Sequence, residues 1–214
     1  LEISVDWGSA ASFLSVGQER CYDFVVKQPT DVPVDNVINE FFVRRDDESD
    51  TEVNVLADKF IAYYSHHACK RLTLYRDRYG DARRANSRKT YNELFVERLQ
   101  KFGWEVVQLV HPGIEPPQHE KFLLWTYILA ETDPRFPKVR FNATRCRHTL
   151  ISMQNTRVIE DSHGRFAKDK SSERRQSVLP EEATHFGDCV DKRIWTKYYT
   201  RLKVLSTSFV DGRV

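Results

Sequence analysis

The sequence predicts an α/β domain built on a mixed sheet, with antiparallel first strands, parallel later strands, flanking helices and a late β-hairpin. Three strand-like runs follow one another at the N-terminus, helices and strands then alternate, and a glycine turn separates two short strand-like runs near residue 164. Strands joined by short turns pair antiparallel, whereas strands separated by helices pair in parallel. With 214 residues, 40% of them hydrophobic, the chain is long enough for one domain, residues 1–214.

The first elements are predicted strands. Residues 2–18, EISVDWGSAASFLSVGQ, carry two apolar, β-branched runs around the small residues GSA, which is the pattern of a hairpin. Residues 21–28, CYDFVVKQ, are predicted to be the third strand, and the acidic stretch 44–52 a loop or the start of a helix.

Helices and strands are predicted to alternate in the middle of the chain. Apolar residues at helical spacing predict helices over residues 53–67, 90–102 and 118–131, and compact apolar runs predict strands over 70–77, 104–110 and 138–142. Gly103 is the expected C-terminal stop of the second of these helices.

The last third is predicted to hold a helix near residues 146–155, a hairpin within 156–170 and a long final helix over 180–202. Gly164 can adopt the positive φ that a hairpin turn needs, and Pro180 followed by two acids is typical of a helix start. The tail, residues 204–214, fits either a terminal strand or a disordered end.

Charge and cysteine content narrow the function classes. The 33 basic and 31 acidic residues give a net charge of +2, so any DNA-binding face must be a local patch. The four cysteines lie far apart without CxxC spacing, which argues against a zinc site or a disulfide framework and favours a reducing compartment. No apolar stretch approaches the ~18 residues of a membrane span, so we expect no membrane partner. The chain starts at a strand without Met, which suggests a fragment of a longer protein.

Three aspartates stand at informative positions. Asp6 ends the first strand, Asp77 ends the strand after the first long helix, and Asp188 lies in the last helix, with Asp81 and Asp191 as alternates. If the two strands are neighbours, their ends share one crevice, and clustered carboxylates need a divalent cation to offset their repulsion. Two Mg²⁺ or Mn²⁺ ions, ~3.5–4 Å apart, would suit phosphodiester hydrolysis. From spacing alone, a turn residue or a helix cap explains each acid as well.

Five stretches, in order, resemble the C-terminal nuclease domain of tailed-phage terminase large subunits: residues 3–17, 71–87, 103–107, 164–173 and 180–195. The most specific is the last, PEEATHFGDCVDKRIW, where a Thr-His pair precedes the acid of the final helix. The resemblance implies an RNase H-like fold and an endonuclease that cuts concatemeric viral DNA during genome packaging. Cys189 departs from the usual Ala, and the crowded RDRYGD leaves Asp77 or Asp81 as the middle acid.

The resemblance also implies residue roles. Asp6, Asp77 and Asp188 would be the catalytic metal ligands, roughly 4–8 Å apart because carboxylates sharing an ion each stand ~2–2.5 Å from it. His185 would support one of them. Basic residues beside the middle and last acids would hold the DNA backbone: Arg78, Arg83, Arg84, Lys168 and Lys170. Double-stranded DNA, an upstream ATPase domain, the small terminase subunit and the portal would be the partners, in the host cytoplasm during phage assembly.

Three other functions fit parts of the sequence. A junction resolvase or integrase-like nuclease would use the same chemistry. A sugar-kinase or actin-like nucleotide binder would explain DWGSAASF as a phosphate loop, but neither a second phosphate-binding strand nor a second domain of comparable size is evident. The sequence also lacks a Walker-type ATP loop, so the ATPase motor that the terminase resemblance implies would lie upstream of Leu1. A catalytically silent DNA-binding or assembly module of the packaging motor would leave the acids with structural roles.

Overall fold

The structure, a computed structural model, describes residues 1–45, 52–76, 78–81, 88–110, 117–175 and 177–208, with side chains up to 202. Three candidates from the sequence, Asp77, Arg83 and Arg84, lie outside these residues. So does most of the acidic stretch 44–52. Among the helices that are described, none is long and apolar enough to cross a membrane.

Six strands form one mixed sheet in the order β5-β4-β1-β2-β3-β6. The strands are β1 (Glu2–Trp7), β2 (Ala11–Asp23), β3 (Gln28–Arg44), β4 (Arg71–Tyr75), β5 (Glu105–Leu109) and β6 (Val139–Phe141). β1, β2 and β3 pair antiparallel, whereas β4 is parallel to β1, β5 to β4 and β6 to β3. An antiparallel meander that continues in parallel strands beyond β1 is the RNase H-like arrangement, so the predicted fold class is confirmed.

Five α-helices and a second, two-stranded sheet complete the described fold. The helices are α1 (Glu52–Tyr63), α2 (Tyr91–Lys101), α3 (Gln118–Ala130), α4 (Arg147–Asn155) and α5 (His185–Ser208). β7 (Val158–Glu160) and β8 (Phe166–Lys168) pair antiparallel as the predicted late hairpin. The predicted stop of α2 is also present, because Gly103 has φ +81°.

The sheet is covered on both faces because its strands alternate. Ile3, Val5 and Leu14 face a core shared with α1 and α2. Phe13 and Val37 face the opposite side, which α3, α4 and α5 cover. Asp6, next to Val5 along β1, therefore points toward the face of the sheet on which α5 lies.

The prediction of a third strand over residues 21–28 is wrong. β2 continues to Asp23, the chain turns, and β3 begins only at Gln28. The buried carboxylate of Asp23 accepts hydrogen bonds from the backbone N–H groups of Val25 (2.9 Å) and Val26 (3.4 Å), and Lys27 takes φ 56°. An Asx-type turn has overridden the strand propensity of the two valines.

The final helix also starts later than predicted. Pro180 opens a separate 3₁₀ turn, Pro180–Glu182, and Ala183 is extended before α5 begins at His185. The hydroxyl of Thr184 donates to the carboxylate of Glu173. These shifts place Asp188 in the first turn of α5.

Candidate active site

Asp6 and Asp188 meet between the end of β1 and the first turn of α5. The parallel pairing of β1 with β4 also brings the end of β4, which precedes Asp77, to the same edge of the sheet. Both aspartate side chains are 15% exposed, so they are shielded but reachable.

Asp6 is held by two basic side chains of α5. Its Oδ2 lies 2.9 Å from Nδ1 of His185, and its Oδ1 lies 3.2 Å from Nζ of Lys192, which also donates to the backbone carbonyl of Val5 (2.8 Å). Burial acts to raise the pKa of Asp6, but the charge of Lys192 and the His185 contact outweigh it and hold that pKa well below its usual range. Asp6 is therefore ionised at neutral pH.

Asp188 is paired with both lysines of the late hairpin segment. Its Oδ1 lies 2.8 Å from Nζ of Lys168, and its Oδ2 lies 2.7 Å from Nζ of Lys170. Burial acts to raise the pKa of Asp188, the two lysine charges lower it by more, and the negative charge of Asp6 raises it slightly. The last effect means that the two carboxylates sense each other's charge.

His185 is fixed by its surroundings rather than solvated. Its ring stacks on Phe13, with centroids 4.7 Å apart and planes 10° apart. Burial lowers the pKa of His185, but the Asp6 contact raises it by more, so protonation is favoured relative to a free histidine. The predicted supporting residue thus touches Asp6 rather than Asp188.

Asp191, the alternate for Asp188, is only 3% exposed. Its Oδ1 accepts a hydrogen bond from the indole Nε1–H of Trp125 (2.6 Å), and its Oδ2 lies 2.5 Å from Nζ of Lys168. Asp188 is the more accessible acid of the two. Lys168 joins them, as expected for acids three residues apart on one helix face.

The other alternate, Asp81, is paired with side chains close to it in the sequence. It pairs with Arg76 and accepts a hydrogen bond from Nδ2 of Asn92 (3.0 Å), and its side chain is 43% exposed. Arg78 is exposed beside it. Because Asp77 is not described, the choice between Asp77 and Asp81 as the middle acid stays a prediction.

Sequence reasoning missed three cations as partners of the acids. Lys168 and Lys170, predicted only as contacts to the DNA backbone, pair with Asp188. Lys192 was overlooked altogether, although its spacing four residues after Asp188 was a signal that it shares the site. Glu173 was also missed: it accepts from Thr184 and lies 3.4 Å from Nζ of Lys170.

The donor chemistry of the site suits a hard divalent cation. Asp6 and Asp188 offer ionised carboxylate oxygens, the ligands that Mg²⁺ and Mn²⁺ prefer. Within the described ranges, however, no group of three or more acidic, histidine or cysteine side chains is placed to hold a metal ion. Asp6 and Asp188, two of the three predicted ligands, lie within those ranges, and the third, Asp77, does not.

Two solved structures resemble the chain at low sequence identity. One is the nuclease domain of g2p, the large terminase of bacteriophage SPP1, with bound Mn: 12% identity over 91% of this chain and 83% of that one, TM-score 0.46. The other is RuvC of Thermus thermophilus: 7% identity over 94% and 96%, TM-score 0.39. No protein-family model matches the chain, and no curated protein does.

Proposed function

We propose that the chain is a metal-dependent nuclease that hydrolyses phosphodiester bonds of DNA. The observation that carries the proposal is the meeting of Asp6 and Asp188, 182 positions apart, as two ionised and reachable carboxylates. Four basic side chains balance these charges, His185 and Lys192 at Asp6 and Lys168 and Lys170 at Asp188, and a divalent cation bound to both carboxylates would replace part of that balance.

Asp6 and Asp188 would hold Mg²⁺ or Mn²⁺, with Asp77 as the third ligand and Asp81 as its alternate. When bound, such ions, two in the proposed mechanism, supply an activated water and stabilise the leaving oxygen. His185, fixed against Phe13, orients the Asp6 carboxylate. Lys192 neutralises part of the acidic charge, and Lys168, Lys170 and Arg78, with Arg83 and Arg84, hold the phosphate backbone.

The finer proposal is an endonuclease of a phage packaging terminase that cuts concatemeric double-stranded DNA. It is supported by the Thr184-His185 pair before Asp188, because the structure gives His185 a contact with Asp6. In that setting the chain would be the nuclease part of a longer protein with an ATPase domain. The small terminase subunit and the portal would be its partners, in the host cytoplasm.

Plasmid cleavage tests the proposal. Supercoiled plasmid is incubated with the protein and Mg²⁺ or Mn²⁺, with EDTA as the blank. Asp6→Asn and Asp188→Asn are expected to lower the rate by at least about 1,000-fold, as losing a residue that acts as part of a catalytic unit does.

Asp31→Asn, at an exposed position on β3, is the matched control and should cut normally. Circular dichroism checks that each variant is folded. Wild-type protein that leaves the plasmid intact with both ions, or site variants that cut at the wild-type rate, would favour the silent DNA-binding module instead.

A further inference from the structure

Three exposed arginines, Arg157, Arg174 and Arg175, belong to the open end of the β7–β8 hairpin and the turn that follows it. In the part of the chain that the structure describes, none of the three forms an ion pair with an acid. By contrast, Arg165, in the loop of the same hairpin, pairs with Asp161 at 2.9 Å. We call Arg157, Arg174 and Arg175 the arginine cluster.

Asp169 brings two members of the cluster together. Its backbone N–H donates to the carbonyl of Arg157 (2.8 Å), so these two residues lie opposite each other at the end of the hairpin. The hydrogen bonds from Ser171 lower the pKa of Asp169 most, and the charges of Arg175 and Arg157 lower it further. Both guanidinium groups are therefore close enough to act on this carboxylate.

A 3₁₀ turn, Lys170–Arg174, positions the other side of the cluster. Asp169 caps it, because its carboxylate accepts from the backbone N–H of Ser171 (2.8 Å). Nη2 of Arg175 donates to the hydroxyl of Ser171 (3.1 Å), and Arg174 follows Ser171 by three residues, the spacing at which side chains of a 3₁₀ helix share one side. Three guanidinium groups thus surround one carboxylate, which leaves the surface positively charged.

This turn is attached to the candidate active site. Nζ of Lys170 lies 2.7 Å from Oδ2 of Asp188, and the carboxylate of Glu173 accepts from the hydroxyl of Thr184, just before α5. The ammonium groups of Lys168 and Lys170 are already paired with Asp188. Phosphates beside the cut bond therefore need further cations, and the arginine cluster is the group next to Lys170 in the chain.

The chemistry of the cluster fits a phosphate backbone. A guanidinium group is planar, always charged, and donates two parallel hydrogen bonds to phosphate oxygens. Exposed arginines on a surface turn can contact successive phosphates without entering a groove, and such contacts carry no base specificity.

We propose that the arginine cluster binds the phosphate backbone of duplex DNA beside the cutting site, whatever the base sequence. The inference rests on the proposed function for its role in cutting. The binding itself can be measured without any cleavage.

The first experiment measures the affinity for a short, fluorescently labelled duplex by anisotropy, in EDTA and over a range of NaCl concentrations. Replacing all three arginines by Gln should weaken binding by about 10-fold or more. The slope of log affinity against log salt should shrink by about 2–3 units, because each phosphate contact contributes ~0.9. AT-rich and GC-rich duplexes should lose affinity equally.

Two further variants separate charge from structure. Replacing the same three arginines by Lys keeps the charges and should retain most of the salt slope, even where the loss of bidentate bonds lowers affinity. Arg20→Gln, Lys101→Gln and Lys138→Gln together remove as many exposed charges from β2, α2 and the segment before β6. This matched control should keep the wild-type slope, and circular dichroism checks that each variant is folded.

Plasmid cleavage then tests the role. Loss of the three arginines should raise the KM for plasmid by more than it lowers kcat, because backbone contacts hold the substrate before and during the reaction. Duplex binding through the cluster by a protein that never cuts would keep the cluster and reject the nuclease.

Three results would overturn the cluster whether or not DNA is cut. One is an unchanged salt slope in the Gln variant, and another is wild-type protein that does not bind the duplex in EDTA. The third is displacement of the duplex by polyglutamate at equal charge concentration, which would assign the cluster to an acidic protein surface instead.

Discussion

Lys170 and Lys168 both pair with the carboxylate of Asp188, but they differ in solvent exposure and in the number of other partners. The Lys170 side chain is 46% exposed, whereas that of Lys168 is 18% exposed and is also tied to Asp191. Burial acts to lower the pKa of Lys170, but Asp188 raises it by more, so the ammonium group stays charged at neutral pH. A cation that binds Asp188 must therefore displace this ammonium group.

Removing that competitor should strengthen metal binding. Lys170→Gln is expected to raise the affinity for Mn²⁺ by about 10-fold, equivalent to roughly 1.4 kcal/mol, because Asp188 then keeps one lysine instead of two. Isothermal titration calorimetry of metal-free protein measures this without DNA.

Lys101→Gln, on the exposed side of α2, serves as the control for a lost surface charge. An affinity for Mn²⁺ that is unchanged or weaker in Lys170→Gln would show that Lys170 does not compete for Asp188. It would then count against a metal at this carboxylate.

At the scale of elements, the position of α5 on the sheet decides whether Asp188 meets Asp6. Arg193 of α5 is fully buried, and its Nη1 lies 3.0 Å from Glu2 of β1 and 2.5 Å from Asp35 of β3. The guanidinium lies against Gly17 of β2, where a Cβ would be 2.2 Å from Cζ of Arg193. The helix is thus fixed across three strands by one side chain that only glycine admits.

Gly17→Ala should lower the free energy of unfolding by more than about 2 kcal/mol, because the new methyl group overlaps a charged side chain that has nowhere to move. Urea unfolding measures the loss. In an Arg193→Met background the same substitution should cost far less, since the overlap is reduced. Equal costs in both backgrounds would mean that Gly17 matters for its backbone rather than for Arg193.

Much of the element order could be predicted from sequence because periodicity and turn residues act locally. The β1–β2 hairpin, α2 with its stop at Gly103 and the late hairpin needed no tertiary information. The turn after Asp23 escaped prediction because the strand propensity of Val25 and Val26 pointed the other way. Hydrogen bonds to the Asp23 carboxylate decided it.

The candidate site could also be predicted only in part from local sequence. Asp6 and Asp188 could be predicted as site residues because a strand end and a motif marked them, and the structure brings them to the same end of the sheet. Their counter-ions could not, because the pairing of Lys168 and Lys170 with Asp188 depends on how the hairpin packs on α5. Phe166 of that hairpin contacts Phe122 of α3, with ring centroids 4.6 Å apart, and local sequence patterns do not record such contacts.

At the scale of the whole molecule, a buried ionic network lies on the same helix and sheet as the candidate site. Asp35, fully buried, lies 2.8 Å from Nζ of Lys197 and accepts from the hydroxyl of Tyr198 at 3.2 Å, in addition to Arg193. Lys197 also lies 2.7 Å from Glu2, near the start of β1, while Lys192 holds Asp6 near its end. Charge pairs therefore connect α5 to both ends of the central strand, β1.

The acid stability of the protein should reflect this network. Burial acts to raise the pKa of Asp35, but Arg193 and Lys197 lower it by more, so the folded pKa lies below the unfolded value of ~3.9. A carboxylate with a depressed pKa stabilises the fold above its unfolded pKa and loses that contribution as pH falls through the folded pKa. The free energy of unfolding should thus stay high near neutral pH and drop below about pH 4.

Replacing Asp35 tests whether the network carries this dependence. Asp35→Asn should cost about 3–5 kcal/mol at neutral pH, because Arg193 keeps a buried charge without its main partner, and it should flatten the decline below about pH 4. Urea unfolding across pH measures both effects, and Asp31→Asn on the exposed part of β3 is the control. If the variant is too unstable, Glu19→Gln, at the 38% exposed rim of the network, should give a smaller loss of stability at neutral pH. An Asp35→Asn protein as stable as the wild type at neutral pH would show that α5 is held by its apolar contacts alone. The meeting of Asp188 with Asp6 would then not depend on these charges.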